Sequence, residues 1–131
     1  MGSDDVIQLM NNVKAPYNVN SLTSNVALNA LNSIPVLDAN VKELMEQREV
    51  VREKLNELDF VTKVFPSDSN FLLFQMTDKA KSSYTLMANR GVVTRFRGNE
   101  MHCKECIRVT IGSKEENVKF LEELPKAYKD S

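Results

Sequence analysis

Two arginines, Arg95 and Arg108, sit inside strand-like apolar runs, Val92-Val93-Thr94-Arg95-Phe96 and Cys106-Ile107-Arg108-Val109-Thr110-Ile111. Strand alternation puts each arginine's immediate neighbours on the opposite face of a sheet, so packed flanks hold its planar donor fork in a fixed direction. Such a fork suits a carboxylate or a phosphate. An arbitrary strand arginine more often lies on a solvated sheet face or pairs with an acidic neighbour, so the pair matters only if the fold brings both forks together. Arg97, followed by Gly98-Asn99, is a third guanidinium nearby and the weaker alternative, because its loop-like context points to exposure.

His102, Cys103 and Cys106 form a His-Cys-x-x-Cys run. Structural zinc wants four ligands, and the chain offers no second cysteine pair and no other histidine, so no metal is expected. A reactive thiol normally sits at a helix N-terminus, whereas these lie in a loop and at a strand start, so the expectation is a reduced and inert pair. Nucleophilic catalysis lacks its parts as well. There is no Gly-x-Ser-x-Gly elbow, no phosphate loop of the Gly-x-x-x-x-Gly-Lys type, and one histidine to serve as base. With 4 glycines there is no glycine-rich cradle. The residues alone support an anion-reading α+β module that performs no chemistry by itself.

The elements that must position the arginines follow from periodicity. Val6, Leu9, Met10 and Val13 mark a short amphipathic helix closed at Ala15-Pro16-Tyr17, because the residue before proline avoids helical angles. Asn20 or Ser21 can cap a second helix carrying Leu22, Val26 and Ala30, ending near Ser33-Ile34-Pro35. Asp38 is the expected cap of a third and longest helix, whose apolar positions are Val41, Leu44, Met45, Val51, Leu55 and Leu58. Two strands follow, Phe60 to Phe65 and Asn70 to Gln75, separated by the turn-forming Pro66-Ser67-Asp68-Ser69. A helix over Asp78 to Asn89 ends at Gly91, placed for a left-handed cap. The two arginine strands come next, joined by the polar loop Arg97 to Glu105. Ser113-Lys114-Glu115-Glu116 is a capping box that opens the last helix, with Val118, Leu121, Leu124 and Tyr128 expected to be buried and Pro125 expected to shorten or bend it. The order predicts an α+β layer, a small and mainly antiparallel sheet with helices on one face, preceded by short helices. Residues 1–35 stand apart from the domain at 36–131, and their apolar faces need cover.

Composition narrows the partners. Lys and Arg number 17 against 18 Asp and Glu, a formal charge of −1, which gives no general attraction to nucleic acid or to an anionic membrane. No apolar run approaches the roughly 20 residues that span a bilayer. The reading is a soluble, cytoplasmic chain, with Met1-Gly2-Ser3 resembling an expression scar.

Four stretches, in order, resemble the C-terminal region of the histidinol-phosphate aminotransferases, a branch of the fold-type I pyridoxal-phosphate enzymes. They are Lys14-Ala15-Pro16-Tyr17-Asn18-Val19-Asn20-Ser21-Leu22, then Ser67-Asp68-Ser69-Asn70-Phe71-Leu72-Leu73, then Gly91-Val92-Val93-Thr94-Arg95-Phe96-Arg97-Gly98, and last Cys106-Ile107-Arg108-Val109-Thr110-Ile111-Gly112 with Glu115-Glu116-Asn117. The Arg-Phe-Arg-Gly-Asn-Glu run leading to a cysteine is most similar to the fungal members. Thr94 stands where an aliphatic residue is commoner in the family.

The resemblance implies the small C-terminal domain of such an enzyme. The family moves an amino group between histidinol phosphate, or imidazole acetol phosphate, and the glutamate/2-oxoglutarate pair. Arg108 matches the arginine that clamps the α-carboxylate, and Arg95 the one that binds the substrate phosphate. The lysine that holds pyridoxal phosphate belongs to the preceding large domain and is matched by none here, so this chain alone is expected to bind no cofactor and to be inactive. The parent is expected to be a homodimer, and residues 1–35 to bridge from the large domain, packing irregularly or driving self-association without it. A stand-alone, non-catalytic α+β domain binding a phosphorylated small molecule is the alternative.

Overall fold

The computed structural model describes residues 2–15, 17 and 19–131; the break expected at Pro16 falls on a residue outside these. The chain divides into two compact units, residues 1–37 and 38–131.

In the first unit, α1 spans Asp4–Val13 and α2 spans Ser21–Ala30, and neither contains a buried residue. Of the two candidate caps it is Asn20 that serves α2, its side-chain oxygen accepting the Thr23 amide at 2.8 Å. A 3-10 turn at Leu31–Ser33 leads directly into α3, Ile34–Asn56. The expected stop at Pro35 and cap at Asp38 are therefore corrected. Pro35 lies in the first turn of α3, where its missing N–H has no intrahelical partner to lose and its fixed φ suits the helix. Asp38 lies inside the helix.

The second unit is built on an antiparallel sheet in the order β1-β2-β4-β3, from β1 (Val61–Val64), β2 (Phe71–Met76), β3 (Arg95–Phe96) and β4 (Cys106–Thr110). Along β2 buried and half-buried residues alternate strictly. Leu72, Phe74 and Met76 face the core with Ile107 and Val109 of β4, while Phe71, Leu73 and Gln75 face the other way. Helices cover the first face. Val51 and Leu55 come from α3, Ala80 and Met87 from α4 (Ala80–Asn89), and Phe120, Leu124 and Ala127 from α5 (Lys114–Asp130), and all join one core with the strand residues. Phe74 and Phe120 meet edge to face, ring centroids 6.1 Å apart. The α+β class with helices on one sheet face is what the periodicity predicts.

Helix ends follow local chemistry. Gly91, at φ +82°, closes α4 in the left-handed conformation that a side chain disfavours. Ser113 accepts the Glu116 amide at 3.3 Å while Glu116 accepts the Ser113 amide at 2.8 Å, the expected capping box. Two buried faces and one strand length differ from the periodicity reading. Helix α5 runs through Pro125 and buries Asn117, Phe120, Leu124 and Ala127; Val118 is 54% exposed. On α3, Val41 and Met45 are exposed, and Arg48 is buried instead. The β3 strand is two residues long, not five, because Val92 to Thr94 do not pair with β4.

Leu55 is fully buried among these layers. Leu55→Ala should lower unfolding free energy by about 3 kcal/mol, within the 2–5 kcal/mol typical of a buried leucine. Val118→Ala should stay within about 0.5 kcal/mol, as exposed positions do. Urea titration followed by circular dichroism checks both; equal effects would mean the α5 face has been assigned wrongly.

Candidate functional site

Antiparallel pairing sets the site. Arg95 of β3 stands directly opposite Arg108 of β4, so both side chains leave the same face of the sheet, with Cβ atoms roughly 5 Å apart as in any such pair. Within residues 38–131 that face is the one the helices leave open. Arg108 also stands opposite Leu73 of β2, and its guanidinium lies over the Phe71 ring, 5.0 Å from the centroid. The aromatic face attracts the cation without neutralising it. Arg108 is half-buried and Arg95 exposed. Among the described residues neither forms an ion pair. Two like charges directly opposite one another destabilise a strand pair, and an anion between them removes that repulsion while filling both forks.

Arg97 behaves differently. Its amide continues toward β4, donating to the Cys106 carbonyl at 2.9 Å, but its Nη1 is engaged with Glu100 at 2.5 Å. The Phe96 ring folds back over Gly98, and a Cβ there would collide with it, which accounts for a glycine after Arg97. Of the three arginines, the structure brings Arg95 and Arg108 together and gives Arg97 a carboxylate of its own.

Two positions carry the site without having been singled out in the sequence. Phe71 is one; its place under Arg108 depends on the β2–β4 register, which no local pattern announces. Arg48 is the other. It is 8% exposed, and its Nη1 donates to the Ser69 carbonyl at 2.9 Å, tying α3 to the turn that delivers Phe71. Ser67 Oγ secures the same turn by donating to the Phe71 carbonyl at 2.6 Å. A signal for Arg48 was present, because the steps Leu44, Arg48, Val51, Leu55 place an arginine on the apolar stripe of α3.

A cleft of about 370 Å³ lies elsewhere, between the unpaired Val92–Thr94 segment and the end of β4, with Asn117 and Lys119 at its wall. It includes neither Arg95 nor Arg108. Thr94 is 4% exposed, and among the described residues its hydroxyl finds no partner. Among the described residues no three His, Cys, Asp or Glu side chains gather as a metal would need. Every lysine is exposed, whereas a Schiff-base lysine is activated by desolvation or by a neighbouring cation.

A protein-family model described as aminotransferase class I and II matches residues 1–124. A histidinol-phosphate aminotransferase of Christiangramia forsetii is 39% identical over 128 residues, covering 98% of this chain and 35% of that protein. One from Candida maltosa is 37% identical over 139 residues, covering 98% of this chain and 36% of its own length. The chain thus spans about a third of the curated relatives it matches. In fold it is similar to the crystal structure of the histidinol-phosphate aminotransferase from Clostridium acetobutylicum, with a TM-score of 0.77 at 21% identity over 97% of this chain and 39% of that one. It is also similar to the L-threonine-O-3-phosphate decarboxylase from Porphyromonas gingivalis, with a TM-score of 0.73 at 20% identity over 97% of this chain and 40% of that one. With the match to its model running through both arginine strands, this chain belongs to the class I and II aminotransferase family.

Proposed function

We propose that this chain is the C-terminal, substrate-binding part of a histidinol-phosphate aminotransferase, an enzyme of histidine biosynthesis. The single observation that carries the reading is the unneutralised pair of guanidinium groups, Arg95 and Arg108, opposite each other on the open face of the sheet. Arg108, braced on Phe71, takes the α-carboxylate of glutamate or 2-oxoglutarate. Arg95, more exposed at the sheet edge, takes the phosphate of histidinol phosphate or imidazole acetol phosphate. Both act by holding and orienting an anion; a guanidinium stays protonated at physiological pH and so takes no part in proton transfer.

Pyridoxal phosphate supplies the electron sink for amino transfer in such enzymes. Its lysine lies, on this reading, in a preceding large domain, and residues 1–35 bridge from that domain into residues 36–131. The exposed stripe Val6, Leu9, Met10 and Val13, between 48% and 85% accessible, is the kind of face such a neighbour covers. The whole enzyme is then a cytoplasmic homodimer joined mainly through its large domains. Transfer of the family's activity to this chain's parent rests on relatives named histidinol-phosphate aminotransferase at 37–39% identity.

Three outcomes are expected. Histidinol phosphate titrated against the chain by calorimetry or NMR should bind, and Arg95→Ala or Arg108→Ala should weaken it by about tenfold or more, as for charge-assisted hydrogen bonds worth roughly 1.5–3 kcal/mol. Equal binding by the wild type and both variants would sink the assignment. The chain mixed with histidinol phosphate, 2-oxoglutarate and free pyridoxal phosphate should give no glutamate above the enzyme-free rate. Turnover would overthrow that expectation, and binding without turnover in the natural full-length protein would favour a non-catalytic binding domain instead. Phe71→Leu should weaken ligand affinity by about 0.5–2 kcal/mol through loss of the aromatic brace, with Phe71→Tyr restoring it. A loss confined to thermal stability, with affinity unchanged, would remove Phe71 from the site.

A further inference from the structure

The His-Cys-x-x-Cys run is left unused by the anion site, and the fold gives it a geometry that its sequence does not announce. The Cys106 amide donates to the Cys103 carbonyl at 3.0 Å, closing a four-residue turn. Glu105, at its third position, has φ +54°, the arrangement of a turn whose ends lie less than about 7 Å apart between Cα atoms. A separation below that limit is what a disulfide requires if the backbone is not to move, and the two cysteine side chains lie within hydrogen-bonding reach of each other. A glutamate in the left-handed region is strained, and two contacts hold it there. The Glu105 carbonyl accepts the Met76 amide at 2.9 Å, and its Oε2 accepts the Ala80 amide in the first turn of α4 at 2.8 Å. The Cys106 sulfur lies 3.6 Å from the Lys104 carbonyl, inside the turn. Cys103 is half-buried and Cys106 buried, so an incoming reagent meets Cys103 first.

We propose that Cys103 and Cys106 form a reversible disulfide, a redox-modification site on the connection between the two arginine strands. The oxidant is a low-molecular-weight disulfide of the glutathione class. The Cys103 thiolate attacks one of its sulfurs and displaces one thiolate, leaving a mixed disulfide. Cys106 then gives up its proton and attacks the Cys103 sulfur, displacing the second thiolate. The protein dithiol loses two electrons and two protons, and the reagent becomes two thiols. Burial, with the charge and hydrogen bond of Cys103 behind it, pushes the Cys106 thiol up from its ordinary value, which suits it to the second, resolving step and not to first attack. The bond secures the turn from which β4 begins, two residues before Arg108 and on the same sheet face.

The test equilibrates the full chain in glutathione buffers of graded ratio, then acid-quenches it for intact mass and free-thiol assay. Expected is loss of both thiols with no glutathione retained and no dimer, and an equilibrium constant for the disulfide at least tenfold higher in native buffer than in concentrated urea, because the fold holds the ends together. The Cys106→Ser chain should retain one glutathione on Cys103, and Cys106→Ala serves if serine disturbs the fold. A wild-type chain that keeps glutathione on Cys103, crosslinks between chains, or remains reduced overturns the proposal, as does an equilibrium constant no higher when folded than in urea. None of these outcomes depends on the anion-binding assignment, whose failure would show only in the ligand titrations.

Discussion

Everything at the candidate site follows from one register. Because Arg95 pairs with Arg108, two permanent positive charges leave the same side of an antiparallel ladder at neighbouring positions. That arrangement costs free energy in the absence of a counter-charge. Elsewhere the protein neutralises its arginines: Arg90 meets Asp130 at 2.7 Å, Arg52 meets Glu49 at 3.3 Å, and Arg97 meets Glu100. The contrast gives the pair its meaning. A cation with a local carboxylate has its demand met, whereas a pair without one gains most from a ligand that brings its own negative charge.

The rest of the domain keeps that register and orients the forks. Helices on one face press Leu72, Phe74, Ile107 and Val109 into a common core, and a slip of one residue would turn Arg108 into that core. The cost of burying an unpaired guanidinium there is large enough to make the register self-enforcing. On the open face the support is aromatic. Phe71 lies beneath Arg108, and the turn before Phe71 is held from α3 by Arg48. One buried arginine thus steadies the platform of another, through a backbone carbonyl and without an acidic residue at either contact.

Much of this could be read from the sequence, for reasons tied to particular residues. The capping box at Ser113 and the left-handed Gly91 are set by local chemistry, so they were visible without tertiary information. Alternation identified Arg95 and Arg108 as strand residues flanked by apolar neighbours. It could not say that the two strands are adjacent, since pairing depends on how the 97–105 connection closes. The errors share a cause. Pro35 and Asp38 read as a stop and a start because both favour helix boundaries, yet neither is incompatible with the first turns of a continuing helix. Val92 to Thr94 have strand-forming side chains, but their segment leaves β4 beside the cleft at Lys119, and strand propensity reports a fit to a pleated surface, not pairing itself. Along α5, Val118 looked like core while the buried position is Asn117. The Asn117 side chain accepts the Gly112 amide at 3.0 Å and donates to the Gly112 carbonyl at 3.1 Å, so it is buried because its hydrogen bonds are made.

The two compact units pose different problems of stability. Residues 38–131 contain every buried side chain of the core, so their helices earn stability from packing. In residues 1–37, α1 and α2 are ten residues each with nothing buried, and isolated helices of that length are marginal in water. Their apolar residues are arranged, not scattered: Val6, Leu9, Met10 and Val13 fall on one stripe of α1. A stripe costs nothing to a sequence that never buries it, but it gains stabilising value only against a surface. The relatives at 37–39% identity extend well beyond the portion matched here. Residues 38–131 hold both arginines together with Phe71 and Arg48, whereas α1 and α2 carry apolar faces that nothing in their own unit buries.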